Sequence, residues 1–324
     1  MPEEPAPPPT SDGLCPGCLT EAHWVVAQGS DRFFGKTTDQ FSLVECCNCG
    51  LVRLNPFPTE VQLKAFSNGL PWWESTQASE GRILRALRAM AFRGQMRFIL
   101  GAQVRRMPTL DVSGGGAPHV SVLQDLGLAV EKADIANVRV QQARIPRAEP
   151  ATAAAGAVAA YARRSFGTIV ALHVVEHLRD PWSALAMLRD LLDDDGSIVV
   201  QVPDASSWEA LLLGERWNGF DIPRHPVSFR EENLEALLEA CGYQVLRRKR
   251  FWLAQGPAGL ATSLCPGLAP AVRHGRGMTE RGYLRVLKDL AHRSIVVGVM
   301  PLTLLAASAG IGSSIMMEAR KADR

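Results

Sequence analysis

This chain has almost no surplus of either charge: 35 Lys and Arg face 33 Asp and Glu across 324 residues, a formal net charge of +2. Such a balance argues against a dedicated nucleic-acid binder, which usually carries a basic surplus. No positive-then-apolar segment opens the sequence. The first thirteen residues, "MPEEPAPPPTSDG", are acidic and proline-rich, so residues 1–13 are expected to be a disordered leader on a cytoplasmic protein rather than a secretion signal. Internal repeats are absent, and cysteine is scarce after residue 50, with only Cys241 and Cys265 there. A disulfide framework spreads its cysteines along the chain, so that reading is excluded too.

What is present is ordinary globular composition, 47% hydrophobic and 21% charged, enough to bury a core. The length allows one large domain and a small one. Five cysteines crowd into the first fifty residues, and four form two C-x-x-C knuckles: Cys15 with Cys18, and Cys46 with Cys49. Each knuckle aims two thiolates at one point, and two knuckles complete the tetrahedron that zinc prefers. Cys47 is surplus. Four thiolates leave no open coordination position, so the expected zinc is structural and folds a module over residues 14–57.

Residues 58–108 are expected to form a helical linker. Within it Gly81 to Leu100 places Ile83, Leu84, Leu87, Met90 and Ala91 on one face with arginines around the rest, the pattern of a solvated helix packed on a domain. From Thr109 onward short apolar runs alternate with helical stretches: "TLDV", "LAVEKAD", "FGTIVALH" and "SIVVQVP" are strands, each followed by a helix-like segment. Buried-type strands in that alternation imply an α/β architecture with a mostly parallel sheet covered on both faces. Gly196 and Gly242 are read as helix C-caps. Ser294 to Met317 carries no charge. It reads as a buried helix and strand, as an interfacial helix, or as a bilayer span.

"TLDVSGGGAPHV" (Thr109–Val120) sets a glycine turn between a strand and a helix, where backbone N–H groups can meet a nucleotide-like ligand. Twenty-three residues past Asp111 the second strand ends in Asp134, where an acid can accept both ribose hydroxyls.

Residues 109–252 resemble a class I S-adenosylmethionine-dependent methyltransferase, of the branch that follows a four-cysteine zinc ribbon. The resemblance rests on Asp111-Val112-Ser113-Gly114-Gly115-Gly116-Ala117 against D-x-G-x-G-x-G, and on His173 to Pro181 against H-V-x-E-H-L-x-D-P. It also rests on "GERW" and "PRH" at Gly214–Trp217 and Pro223–His225, and on Cys46 to Pro56. It implies a Rossmann-like, doubly wound, seven-stranded sheet over residues 109–324, with a helical insertion at about 251–308 and a final strand near Ser313–Lys321. It implies donor binding by Asp111, Ser113, Gly114, Gly115, Ala117, Asp134, Leu172 and His173. His173 and His225 are the candidate general bases, with Arg224 available to an anionic group. The metal ligands are Cys15, Cys18, Cys46 and Cys49, and the cofactors S-adenosylmethionine and structural zinc. The expected acceptor is a small molecule such as a sugar, glycan or lipid-linked precursor. The protein is expected in the cytoplasm, at most peripheral to the membrane through its C-terminal apolar stretch. Ser113 and Ala117 stand where the motif has glycine. Two rival readings follow: a non-catalytic donor-binding relative, and a zinc-ribbon interaction protein.

Overall fold

A computed structural model describes residues 13–67, 95–101, 107–113, 118–133, 139–140, 154–155, 165–250, 256–278 and 282–322. The glycine loop 114–117, Asp134, the leader 1–12 and most of the basic helix 81–100 lie outside these residues.

The N-terminal module is three antiparallel strands, β1 (His23–Gly29), β2 (Phe41–Cys46) and β3 (Val52–Asn55), followed by helix α1 (Glu60–Ser67). A further helix, α2, covers 95–101. The large sheet collects β4 (Thr109–Asp111), β5 (Val130–Lys132), β8 (Phe166–Leu172), β9 (Leu192–Pro203), β11 (Tyr243–Lys249) and β12 (Ser314–Lys321) in the order β11-β12-β9-β8-β4-β5. Neighbours from β9 to β5 are parallel, and β12 runs antiparallel to both β9 and β11. Six strands of this sheet are thus seen among the described residues. The short ladder β6 (Arg139–Val140) with β7 (Ala154–Ala155) stands apart from that sheet. The helices are α3 (Pro118–Asp125), α4 (Pro181–Asp190), α5 (Trp208–Leu213), α6 (Glu231–Ala240) and, between β11 and β12, α7 (Gly256–Leu264), α8 (Pro270–Gly275) and α9 (Tyr283–Ser308).

Side-chain alternation along the strands explains the two-sided burial. Ile169, Ala171, Ile198 and Val200 point into a core with Leu185, Leu188, Leu234 and Leu237 of α4 and α6. Val170, Leu172 and Val199 point the other way, against Met96, Phe98, Ile99 and Leu123 of α2 and α3. Asp180 caps α4 by accepting the Ser183 N–H at 3.0 Å, with Pro181 in the first turn, which matches the favoured N-terminal chemistry of a helix.

Two glycine expectations part ways. Gly242 follows α6 at φ +79°, where a C-cap glycine belongs. Gly196 is no cap, because α4 ends at Asp190 and Gly196 lies inside β9. A Cβ there would meet the Phe166 carbonyl oxygen at 2.9 Å, so close backbone approach, not a helix end, calls for glycine.

The N-terminal module is continued by a strand from the C-terminal part of the chain. β10 (Val227–Ser228) pairs antiparallel with β3, Val227 opposite Arg53 and Ser228 opposite Val52, which makes a four-stranded sheet β1-β2-β3-β10. A shared core of Phe41, Leu43, Leu54, Trp217, Phe220 and Ile222 fills the seam.

Beside that core Glu209 of α5 is buried and accepts the Trp217 indole N–H at 3.2 Å. Desolvation pushes its carboxyl up to about 7, against the lowering effect of Trp217. A carboxyl whose folded pKa is raised stabilises the fold below its ordinary pKa and loses that contribution as pH climbs toward 7. Glu209→Gln keeps the acceptor for Trp217 and should raise stability above pH 7, by about 3 kcal/mol at most. Urea melts at pH 5 and pH 8 check this, and an equal effect at both would contradict it.

Candidate active site

The sheet reverses direction at β4: β5 lies on one side and β8 on the other, and in open α/β sheets ligands sit at the carboxyl edge of such a switch point. Asp111 ends β4 fully buried. Its carboxylate accepts the Ser113 N–H at 3.2 Å and the Ser113 hydroxyl at 3.2 Å, and it pairs with Nε2 of the buried His119 in α3. The Ser113 Oγ in turn accepts the Leu172 N–H at 2.9 Å and lies 3.4 Å from the Val170 carbonyl oxygen. The side chain that replaces a glycine is therefore held between β4 and β8. Sequence reading missed His119, since a histidine eight residues past an acid gives no local signal.

His173 closes β8. Its N–H donates to the Gln201 carbonyl at 2.8 Å, and its backbone sits at φ +54°, a left-handed conformation that costs a non-glycine residue about 1–3 kcal/mol and clusters at functional sites. The imidazole Nδ1 lies 3.1 Å from Oε1 of Glu176, whose side chain is 1% exposed. His173 Nε2 and Glu176 Oε2 are buried without a hydrogen-bond partner. Next to them the His177 and His225 rings meet edge to face, centroids 4.4 Å apart. Nδ1 of His177 reaches the Arg224 carbonyl at 3.1 Å, and Nδ1 of His225 reaches the Gly219 carbonyl at 2.7 Å. Burial, then the neighbouring His177, holds the His225 imidazole well below its usual pKa, so it is neutral. Glu176 thus acts as the strut of His173.

Arg224 does not face a ligand. Its side chain is fully buried, with Nη1 and Nη2 donating to the Asp31 carboxylate at 2.8 and 2.7 Å and Nε and Nη2 donating to Asp221 at 2.9 and 2.6 Å. Its guanidinium also lies 4.6 Å above the Phe34 ring. The anion-gripping role read for Arg224 is corrected accordingly: two carboxylates already satisfy it. Burial alone would raise the Asp31 carboxyl, but hydrogen bonds and charge from Arg224 hold it below its usual range. Further links tie the module to the sheet domain, with Arg230 bidentate on Glu45 at 2.7 and 2.8 Å and the Asn233 amide donating to the Cys49 carbonyl at 2.9 Å.

Cys15, Cys18, Cys46 and Cys49 converge, their sulfurs all within 4.8 Å of one another and the closest pairs 3.4 and 3.5 Å apart. Cys47 is exposed and outside the group. Each knuckle turns through a positive φ just after its second cysteine, Leu19 at +61° and Gly50 at +68°. Burial pushes the Cys49 thiol up, and the facing Cys15 adds to this, a repulsion that a divalent cation would remove. The buried Arg53 lies close enough to Cys15 and Cys46 to feel their charge.

The family described as "Methyltransferase domain" matches residues 84–248, half of the chain. The chain belongs to this methyltransferase family. No curated protein matches it. Among solved structures it is similar to a SAM-dependent methyltransferase from Archaeoglobus fulgidus, with 14% identity, 74% of this chain and 94% of that chain covered, and a TM-score of 0.40. It is also similar to the mycolic acid cyclopropane synthase CmaA1 complexed with SAH and CTAB, with 13% identity, 72% and 85% covered, and a TM-score of 0.42. The family match makes the protein a methyltransferase.

Replacing Asp31 by alanine leaves the methyltransferase with a buried guanidinium on a single carboxylate. Loss of one partner of a buried ion pair costs about 3–5 kcal/mol, so Asp31→Ala should lower thermal stability by that order. A melt within 1 kcal/mol of wild type would show the clamp to be dispensable.

Proposed function

We propose that the methyltransferase methylates a nucleophilic atom of a small molecule, of the class of sugars, glycans or lipid-linked precursors, in the hollow at the carboxyl edge of β4, β5 and β8. The observation that carries this reading is His173: a strained residue at the end of β8, braced by Glu176, with Nε2 buried and unpartnered. With the Nδ1 proton donated to Glu176, Nε2 keeps its lone pair and can take the acceptor's proton.

When bound, the donor supplies an electrophilic methyl on a sulfonium, and the acceptor's lone pair forms the new bond to carbon as the carbon–sulfur bond breaks. The chain's own work is alignment and proton removal. Asp134 would hold the ribose hydroxyls, and Gly114, Gly115 and Ala117 would let the backbone approach the donor. Leu172 and His173 would flank the methyl, with Asp111 and Ser113 fixing the turn. His225 is the second candidate base. Its Nδ1 is spent on Gly219, so only Nε2 is left for an acceptor.

Asp134→Ala should weaken S-adenosylhomocysteine binding in calorimetry by at least tenfold with the fold intact, and unchanged affinity would remove Asp134 from the site. His173→Ala should lower turnover about 10²–10⁴-fold against a panel of sugar and lipid-linked acceptors while leaving S-adenosylhomocysteine affinity unchanged. Full turnover in the variant would exclude His173 as the base.

Zinc on the four cysteines is proposed as the module's structural metal. The two knuckles suit it: thiolate bonds of about 2.3 Å set tetrahedral edges near ~3.8 Å, close to the sulfur spacing described above.

A membrane-surface position is proposed for α9. Its buried residues His292, Val296, Thr303 and Ala306 fall on one side, while Leu287, Leu290, Val297 and Leu305 on the other are about half or more exposed, and the helix is long and apolar enough to cross a membrane. A helix lying in the interface presents such a face to lipid, which suits an acceptor carried on a lipid. In flotation assays the protein should rise with anionic vesicles and Leu305→Glu should not. Wild-type protein left at the bottom would contradict this placement.

A further inference from the structure

We propose that Arg32, Arg216 and Arg276 form a binding site for one phosphate monoester group, carried on a lipid or on a soluble molecule. The three come from separate parts of the chain: Arg32 from the loop after β1, Arg216 from the turn Gly214–Arg216 that follows α5, and Arg276 from the end of α8. Backbone carbonyls tie them together. Arg32 Nη1 donates to the Arg216 carbonyl at 3.0 Å and to the Ser263 carbonyl at 2.6 Å. Arg276 Nη2 donates to the Arg32 carbonyl at 2.6 Å, and its Nε to the Phe33 carbonyl at 2.7 Å. The group therefore sits at the seam of the N-terminal module with the helices inserted between β11 and β12. No residue of the methyl-transfer reading belongs to it, so the site stands or falls by itself.

These contacts fix the guanidiniums without using them up. Among the described residues, Nε and Nη2 of Arg32, Nη1 of Arg276 and both Nη atoms of Arg216 have no acceptor. Neither Arg32 nor Arg276 has a carboxylate partner there, and Arg216 has Glu215, with Nε at 3.6 Å from Oε1. Three guanidiniums against that carboxylate leave a surplus of about two positive charges, and a phosphate monoester carries about −1.5 to −2 at neutral pH. Burial and then the nearby Arg216 charge lower the Arg32 pKa from its usual value, with Arg276 adding to them and Glu215 and Cys265 opposing. Like charges held this close repel, and a dianion among them would turn that repulsion into attraction. The planar fork of arginine matches the oxygens of a phosphate. A chain with a net charge of only +2 suits a single phosphate group better than a polyanion such as nucleic acid.

The probe is inorganic phosphate, titrated into the full chain by calorimetry at constant ionic strength. One equivalent should bind. Arg216→Ala and Arg276→Ala should each weaken it about tenfold or more, and Glu215→Gln, which removes the opposing carboxylate, should tighten it about threefold. Arg248→Ala should change nothing, since Arg248 pairs elsewhere with Glu231 and Glu235. Circular dichroism establishes that each variant is folded. Arg216 and Glu215 are both exposed, so their variants keep the test sound even where Arg276→Ala disturbs the seam. Repeating the titration beside vesicles separates the two sources. Competition by phosphatidic acid vesicles beyond that of phosphatidylcholine vesicles assigns the phosphate to a lipid headgroup, and its absence assigns the phosphate to a soluble molecule. No phosphate bound by wild type, equal weakening by Arg248→Ala and Arg216→Ala, or no response to Glu215→Gln would overturn the proposal.

Discussion

One buried cation holds the molecule together: Arg224, clamped between Asp31 of the N-terminal module and Asp221 of its own loop. The guanidinium sits with no exposure, and both carboxylates use the planar fork of Arg in a way that Lys could not reproduce. Its immediate chain neighbour is His225. The position of a candidate catalytic histidine is therefore set by a residue nearly two hundred positions earlier, through charge-assisted hydrogen bonds and through the β3–β10 ladder. The cysteine module is thus tied directly into the loop that carries His225.

The other candidate residues stand at strand ends of the large sheet. Asp111 closes β4, and Ser113 stitches β4 to β8 by accepting the Leu172 N–H. His173 then leaves β8 in a left-handed conformation. The serine that stands where the loop motif has glycine makes a local exchange. The hydroxyl replaces part of the inter-strand bonding at the point where the two strands part, and the side chain is spent there. Glu176 then braces His173, so that the tautomer of the proposed base is set by a buried acceptor.

Much of the fold was legible because its causes are local. Runs such as "TIVAL" and "SIVVQV" carry the signature of strands buried on both faces, and the apolar strand beginning at Ser314 lies within a residue of its expected start. The knuckles were legible for the same reason, since two thiols with two residues between them can be judged from the chain alone. The linkages that make the site were not. Nothing near Asp31 in "GSDRFFGK" or near Arg224 in "IPRHP" signals a partner 193 residues away, and Val227 and Ser228 are too short a strand to be seen outside the ladder they complete. Gly196 misled for a related reason: glycine after a helical stretch is a common cap, but here the constraint comes from Phe166 across the sheet. His119 escaped notice because its acid lies on another element.

The central claim is that the module and the sheet edge form one site. Amide hydrogen exchange of the full chain with bound S-adenosylhomocysteine, zinc-loaded against metal-stripped, tests it most directly. The account predicts that stripping exposes peptides 41–55 and 219–230 together, while peptides 109–125 and 166–172 keep their ligand protection. Opening of 41–55 with 219–230 unchanged, or no ligand protection at the ends of β4 and β8, would contradict it.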